Sequence, residues 1–170
     1  VNNQTATISL VLAGTKVTKA GAGTLVLTGA NTFTGALTVT GGTLQGSDSA
    51  VYSGNATVAS VLGTSATTIS PSGNTTLQLR ANGQNDSSAQ TLTFPNSAYQ
   101  PGSPGSTVTI DVDQQASTGG TNKTLALNAL SLSSNVTLNV TGGHGFSLKM
   151  GQLKLGGSVA STATLNPATA

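Results

Sequence analysis

Apolar side chains recur two positions apart along this chain, and glycine or another turn residue separates the runs. The sets are Leu25/Leu27, Leu37/Val39, Leu77/Leu79, Leu92/Phe94, Val108/Ile110/Val112, Leu125/Leu127, Val136/Leu138/Val140, Phe146/Leu148/Met150 and Leu153/Leu155. A spacing of two puts each set on one face of a strand. Between them stand Gly21-Ala22-Gly23, Gly41-Gly42, Ser72-Gly73-Asn74, Gly119-Gly120, Gly142-Gly143 and Gly156-Gly157, residue types that favour turns. No segment sustains a helical period. The two ambiguous places are the surroundings of Val61 and residues 125–132, "LALNALSL". The second reads as two strand faces that switch parity near Asn128.

An all-β chain with short, evenly spaced strands has two architectures open to it. One is an antiparallel β-sandwich. The other is a right-handed parallel β-solenoid, whose strands stack in rungs. Core material favours the solenoid. The chain has three Phe, two Tyr and no Trp, but 29 Thr and 20 Ser. A sandwich core usually wants large aromatics, whereas stacked rungs tolerate ladders of Thr, Ser and Asn. Disorder is excluded by the same patterning, together with a net charge of only +2 and a mean hydropathy of +0.07. The expectation is one solenoid block over 1–170, with an irregular loop excursion around 80–105. That stretch holds three of the five prolines and an Asn-Gly turn signal.

Charge narrows the function classes. Charged residues make up 6% of the chain, against roughly 25% in an average domain. The six basic residues are scattered rather than clustered, which excludes a nucleic-acid footprint. Absence of Cys removes disulfides, thiol nucleophiles and thiolate metal sites. No apolar run is long enough to cross a bilayer as a helix, so no membrane insertion of this segment is expected. The sequence opens on Val1, shows no signal peptide, and is expected to be a mature product or a fragment.

The candidate reactive residues are few. His144 lies in "TGGHGF" with no second His, no Cys and no acid near it in sequence; it reads as a solvated corner. Asp111 and Asp113 share one strand face. Paired acids can serve glycoside hydrolysis or bind a cation, but only Asp48 and Asp86 remain to complete such a site, so the pair reads as an outward strand face. Lys16 and Lys19 read as solvated. No catalytic residue, metal or cofactor is expected. In the 80–105 loop, Arg80 and Tyr99 form the candidate binding surface, where they would stack on a sugar.

Residues 19–45, "KAGAGTLVLTGANTFTGALTVTGGTLQ", carry a specific resemblance. They resemble the autotransporter-associated β-strand repeat, also called the passenger-associated transport repeat. Its pattern falls here on Gly21, Gly23, Leu25, Leu27, Gly29, Asn31, Phe33, Gly35, Val39, Gly42, Thr43 and Leu44. Phe33 stands where that family usually has Tyr, and Leu37 where it commonly has Thr; neither damages a β-rung. The resemblance implies an exported bacterial surface protein with a β-solenoid fold, and no catalytic residues.

With roughly 20 to 25 residues per rung and about 4.8 Å between rungs, the chain would make about seven or eight rungs and a rod on the order of 35 Å. Asn31 is expected to stack in an amide ladder. Neither end shows a cap, and open strand edges are association templates. The expected function is therefore a structural repeat block or subunit of an extracellular bacterial surface fibre or stalk. Its partner would be the chain itself, by head-to-tail stacking or tandem repetition. The alternative is an adhesin or carbohydrate-binding segment that meets glycans or host surfaces.

Overall fold

The computed structural model describes residues 4–96, 98–133, 135–156 and 164–167, the last as backbone alone. These residues form fifteen strands and no helix, so no helix among them is long and apolar enough to cross a membrane. Every strand pairing is parallel. The antiparallel sandwich is thereby excluded for the described residues, and the chain is a parallel β-solenoid.

The first turn holds β1 (Thr5–Ile8) and β2 (Lys16–Lys19), and the second holds β3 (Thr24–Leu27) and β4 (Gly35–Val39). The third has three strands, β5 (Gly42–Val51), β6 (Ala56–Thr57) and β7 (Thr67–Pro71). So does the fourth, with β8 (Thr75–Asn82), β9 (Gln90–Thr93) and β10 (Ala98–Tyr99). The fifth is β11 (Thr107–Asp113) and β12 (Lys123–Leu132), the sixth is β13 (Thr137–Gly142) and β14 (Ser147–Leu155), and β15 (Thr164–Pro167) opens a seventh. One open sheet runs β1-β3-β5-β8-β11-β13-β15. The other runs β2-β4-β7-β10-β12, with β9 and β6 beyond β12 and β14 also pairing β12.

The turns are not of one length. Thr5 pairs with Thr24 and Thr24 with Thr43, a step of 19 residues. Thr43 then pairs with Thr76 and Thr76 with Thr109, a step of 33. Asp111 pairs with Thr141, a step of 30. The uniform rung length expected from sequence thus gives way to short turns of 19 residues, long ones of 30 to 33, and intermediate steps of 27 and 23 where β13 meets β15 and β12 meets β14. The extra residues of the long turns build the added track that begins at β6.

The stretch 80–105 belongs to these long turns. It contains the end of β8 and the whole of β9 and β10, each paired to neighbouring rungs. Its irregular backbone is confined to the connections, where Pro95, Pro101 and Pro104 stand. β12 spans a corner. Leu125 and Leu127 are buried, Asn128 is exposed, and Leu130 and Leu132 are buried again. The parity switch at Asn128 lets the first half of β12 pair with β9 and the second half with β10.

Inward side chains stack in columns between rungs. On the first sheet, Leu44, Leu77 and Ile110 are aligned and fully or nearly fully buried. On the second, Leu37, Ile69, Tyr99 and Leu130 form one column, all at most 3% exposed. The column ends at Leu153, which is 51% exposed on the last described rung of that sheet. Burial is thus supplied by the rung above and the rung below, as in other repeat folds.

Candidate functional site

The repeat at residues 19–45 forms the second rung and its contacts with the rungs on either side. Leu27, Phe33, Val39 and Leu44 are in the core; Leu25 is partly buried against it. Thr43 points outward beside the buried Leu44. Gly21, Gly35 and Gly42 adopt positive φ. At Gly42 the constraint is double: φ is 65°, and a Cβ would overlap the backbone of Ala22 and Gly23 in the rung before. Gly23 and Gly29 likewise lie too close to the carbonyls of Gln4 and Leu10 to carry a side chain without displacement.

Asn31 is fully buried. Its Oδ1 accepts the Leu12 N–H at 2.7 Å, and its Nδ2 donates to the Val61 carbonyl at 2.6 Å. The amide ladder expected from sequence is not what Asn31 forms. It bridges to the backbone of the preceding and following turns instead. Two later corner residues use the same device. Asn96 Nδ2 donates to Leu62 O at 2.6 Å, and Asn128 Nδ2 donates to Asn96 O at 2.8 Å. A buried backbone carbonyl needs a partner, and a side-chain amide reaches it where the corner breaks the strand ladder.

Arg80 and Tyr99 do not meet at a surface. Tyr99 is 1% exposed and stands in the core column between Ile69 and Leu130. Burial holds its phenol protonated, and its hydroxyl has no partner among the described residues. It therefore cannot serve as the sugar-stacking platform expected of it. Arg80 lies on the outward face, where its Nη2 forms an ion pair with Asp111 and its Nη1 donates to Asp111 O at 3.0 Å. The guanidinium ties the fourth rung to the fifth.

All four acids have structural partners. Asp48 accepts from the Tyr52 hydroxyl at 2.6 Å and the Ala59 N–H at 2.7 Å, pinning the segment that leads into the added track. Burial, then the neighbouring Asp48, pushes the Tyr52 phenol up to about 12. Asp113 and His144, 31 residues apart, lie 2.8 Å from each other. Rung stacking thus supplies the acid that His144 lacks in sequence; its side chain is 53% exposed, and its φ is 51°. Among the described residues no group of three or more His, Cys, Asp or Glu could hold a metal.

Two lysines expected in solvent, or left unassigned, are buried. Lys19 is 6% exposed and donates to Gly21 O at 2.6 Å, Gly41 O at 2.8 Å and Ala20 O at 3.2 Å. Lys123 is fully buried, with Nζ 2.7 Å from Asp86 Oδ1 and 2.8 Å from Ser88 O. The Asp86 carboxyl is held down at about 2, first by the hydrogen bond from Lys123 and then by those from Ser88. Burial pulls the Asp111 carboxyl upward, but the Thr141 hydroxyl, Arg80 and Gln78 together outweigh it and leave the group below its usual value. A carboxylate depressed in the folded state adds stability above its unfolded pKa and loses it as pH falls. The expected result is a fall in thermal midpoint as pH drops from 3.8 toward about 2. Asp86→Asn should have a lower midpoint at neutral pH and a shallower acid limb; an acid limb identical to wild type would contradict this assignment.

Comparison with known proteins agrees with this geometry. Residues 17–45 match the model of the passenger-associated-transport-repeat family. Over 47 residues the chain is 64% identical to the adhesin BmaC autotransporter of Brucella suis biovar 1 (strain 1330). That segment is 27% of this chain and 1% of the relative, so the chain spans only a small fraction of the protein it matches. No solved structure matches. Residues 17–45 thus match a passenger-associated transport repeat, set here in a parallel β-solenoid, and the match indicates an extracellular or cell-surface location.

Proposed function

We propose that this chain is a structural rung block in the stalk of a bacterial surface passenger, and that it joins a narrow solenoid to a wider one. The observation that carries this reading is the change in turn length. Two-strand turns of 19 residues sit directly on three-strand turns of 33. Exposed apolar side chains on the first and sixth turns favour packing against further rungs. Leu10 and Val11 are 77% and 57% exposed near the first turn, and Leu153 and Leu155 are 51% and 59% exposed at the sixth. Rungs of the same polypeptide or of another copy of it would cover them. A role without catalysis is supported by the four acids, each held in a structural contact.

A second reading, adhesion, is favoured by the name of the relative, an adhesin. In that reading the outer sheet faces would meet glycans or host surfaces.

The stalk reading is tested by rung deletion in a displayed passenger. Removing residues 24–42 takes out one whole short turn and joins equivalent positions, so surface display and protease resistance should persist. Removing residues 24–33 shifts the register of everything upstream and should abolish both. Equal tolerance of the two deletions would overturn the reading.

A further inference from the structure

We infer that the added track begins with a strand-addition site, the edge of β6 that faces the preceding turn, and that this edge takes an extended, uncharged segment of a partner protein. The track starts abruptly. It runs β6-β9-β12-β14 through the third to sixth turns, and the 19-residue turn before β6 has no residues to continue it. Further rungs at either end of the solenoid would cover β1 or β14 but not β6. Its edge is therefore open inside the stack.

Hydrogen bonding identifies the open groups. The Val58 N–H donates to Thr93 O at 3.0 Å, toward the following turn. Successive residues of a parallel strand direct their N–H and C=O to opposite sides, so those of Thr57 face the preceding turn, where no described strand stands. The outgoing side behaves alike. The Tyr52 N–H donates to Asn82 O at 3.2 Å, and Val51 presents its N–H and C=O at the open edge. The fold caps this edge only in part. Asp48 accepts the Ala50 N–H at 2.9 Å and the Ala59 N–H at 2.7 Å, which leaves Val51 and Thr57 uncapped among the described residues. A strand edge that is neither covered, charged nor closed by proline is a template for another strand, and extended backbone is the chemistry that matches it.

The surroundings select the segment. The Thr28 N–H donates to Ile8 O at 3.0 Å and the Asn31 N–H to Ser60 O at 3.1 Å, so the corners of the first three turns stack at residues 9–12, 28–31 and 59–61. The track is inserted just before the third corner and projects beneath the other two as a ledge. Leu10 and Val11 are exposed on the wall above it, and Val51 on the ledge itself. No charged residue occurs in 9–12, 28–31 or 55–58, so nothing there favours a charged partner. Ala56, Leu92, Leu125 and Leu148 are register partners along the track, and this column ends on the partly buried Ala56. An apolar residue of the added segment would continue it, with Thr or Ser alternating outward as Thr91 and Thr124 do. The inference rests on the change in turn length and not on the stalk role.

The test uses the purified chain and a capped peptide that copies residues 89–94, the strand that already pairs with β6 from the other side. Amide chemical-shift mapping should give saturable shifts at Val51 and at 55–58, with a Kd on the order of 1 mM. Hydrogen exchange of the Thr57 amide should slow when the peptide is bound. The same peptide with its backbone amides N-methylated should not bind at this edge. Thr57→Pro removes the N–H that faces the edge and no bond inside the fold, a position that proline tolerates. It should leave the thermal midpoint unchanged and weaken binding at least tenfold, whereas Val58→Pro breaks the bond to Thr93 and should lower the midpoint. Shifts at β1, an end strand, should be indifferent to Thr57→Pro. Absence of saturable shifts at Val51 and 55–58 in the folded wild-type chain would overturn the inference. So would equal binding of the N-methylated peptide, undiminished binding by Thr57→Pro, or a Thr57 exchange rate that saturating peptide leaves unmoved, which needs no variant. A dimer of the chain alone that Thr57→Pro dissociates would also overturn it, by assigning the edge to a second copy. None of these outcomes bears on rung deletion, so failure here leaves the stalk reading standing.

Discussion

Replacing Phe33 with alanine is expected to lower stability by about 3–5 kcal/mol, the range for truncating a fully buried aromatic ring. Phe33 is fully buried and packs where the second turn meets the third. A Cβ at Gly63 would strike its ring, so little space separates the two. Its carbonyl also accepts the Thr67 hydroxyl at 2.9 Å. The loss should appear as a reduced urea midpoint with a smaller or biphasic transition, because repeat folds can lose end rungs separately. A change below about 1 kcal/mol, well short of the range for such a truncation, would mean that the repeat is not packed through this ring.

Asn31→Leu is the second large effect. Leucine is of similar size but offers neither an acceptor for the Leu12 N–H nor a donor for the Val61 carbonyl. Each buried group left unpaired costs about 1–3 kcal/mol, so the expected loss is about 2–5 kcal/mol. The readout that separates this from general destabilisation is hydrogen exchange. The Leu12 amide should lose protection first, while amides in β8 and β11 keep theirs. Uniform loss across all rungs would show that Asn31 does not hold the corner of the second turn in particular.

Much of the fold was legible from residue spacing. The period of two located the strands, and the parity break in "LALNALSL" gave the corner at Asn128 correctly. The scarcity of aromatics pointed to stacked rungs rather than a sandwich. Rung length was less legible. The short turns lie inside the recognisable repeat, but the long turns share few residue types beyond the strand at their start. Thr43-Leu44-Gln45 and Thr76-Leu77-Gln78 do coincide one long turn apart, and that coincidence was the available signal.

The side-chain roles that sequence reasoning missed have one physical origin. Stacking brings together residues a whole turn apart, so a polar group can be buried if the next turn supplies its partner. Lys123 finds Asp86 and Ser88, Arg80 finds Asp111, and His144 finds Asp113 in this way. Local composition favours solvent for each of them. Tyr99 was misread for the complementary reason. Its neighbours Pro95, Pro101 and Gln100 look like a loop, yet two residues of strand suffice to set it in a core column.

The central claim is that register, with short turns first and long turns after them. The native chain has no Cys, so paired cysteines report it directly. Adjacent parallel strands place register partners about 4.8 Å apart, within the Cα separation that a disulfide spans. Oxidation should cross-link Thr24→Cys with Thr43→Cys, and Thr76→Cys with Thr109→Cys, in high yield. Thr76→Cys paired with Ala98→Cys has a spacing that a uniform rung of roughly 20 to 25 residues would align. The two positions lie on different sheets and should not cross-link. A linked 76–98 pair, or an unlinked 76–109 pair in a folded chain, would contradict the change in turn length on which this account rests.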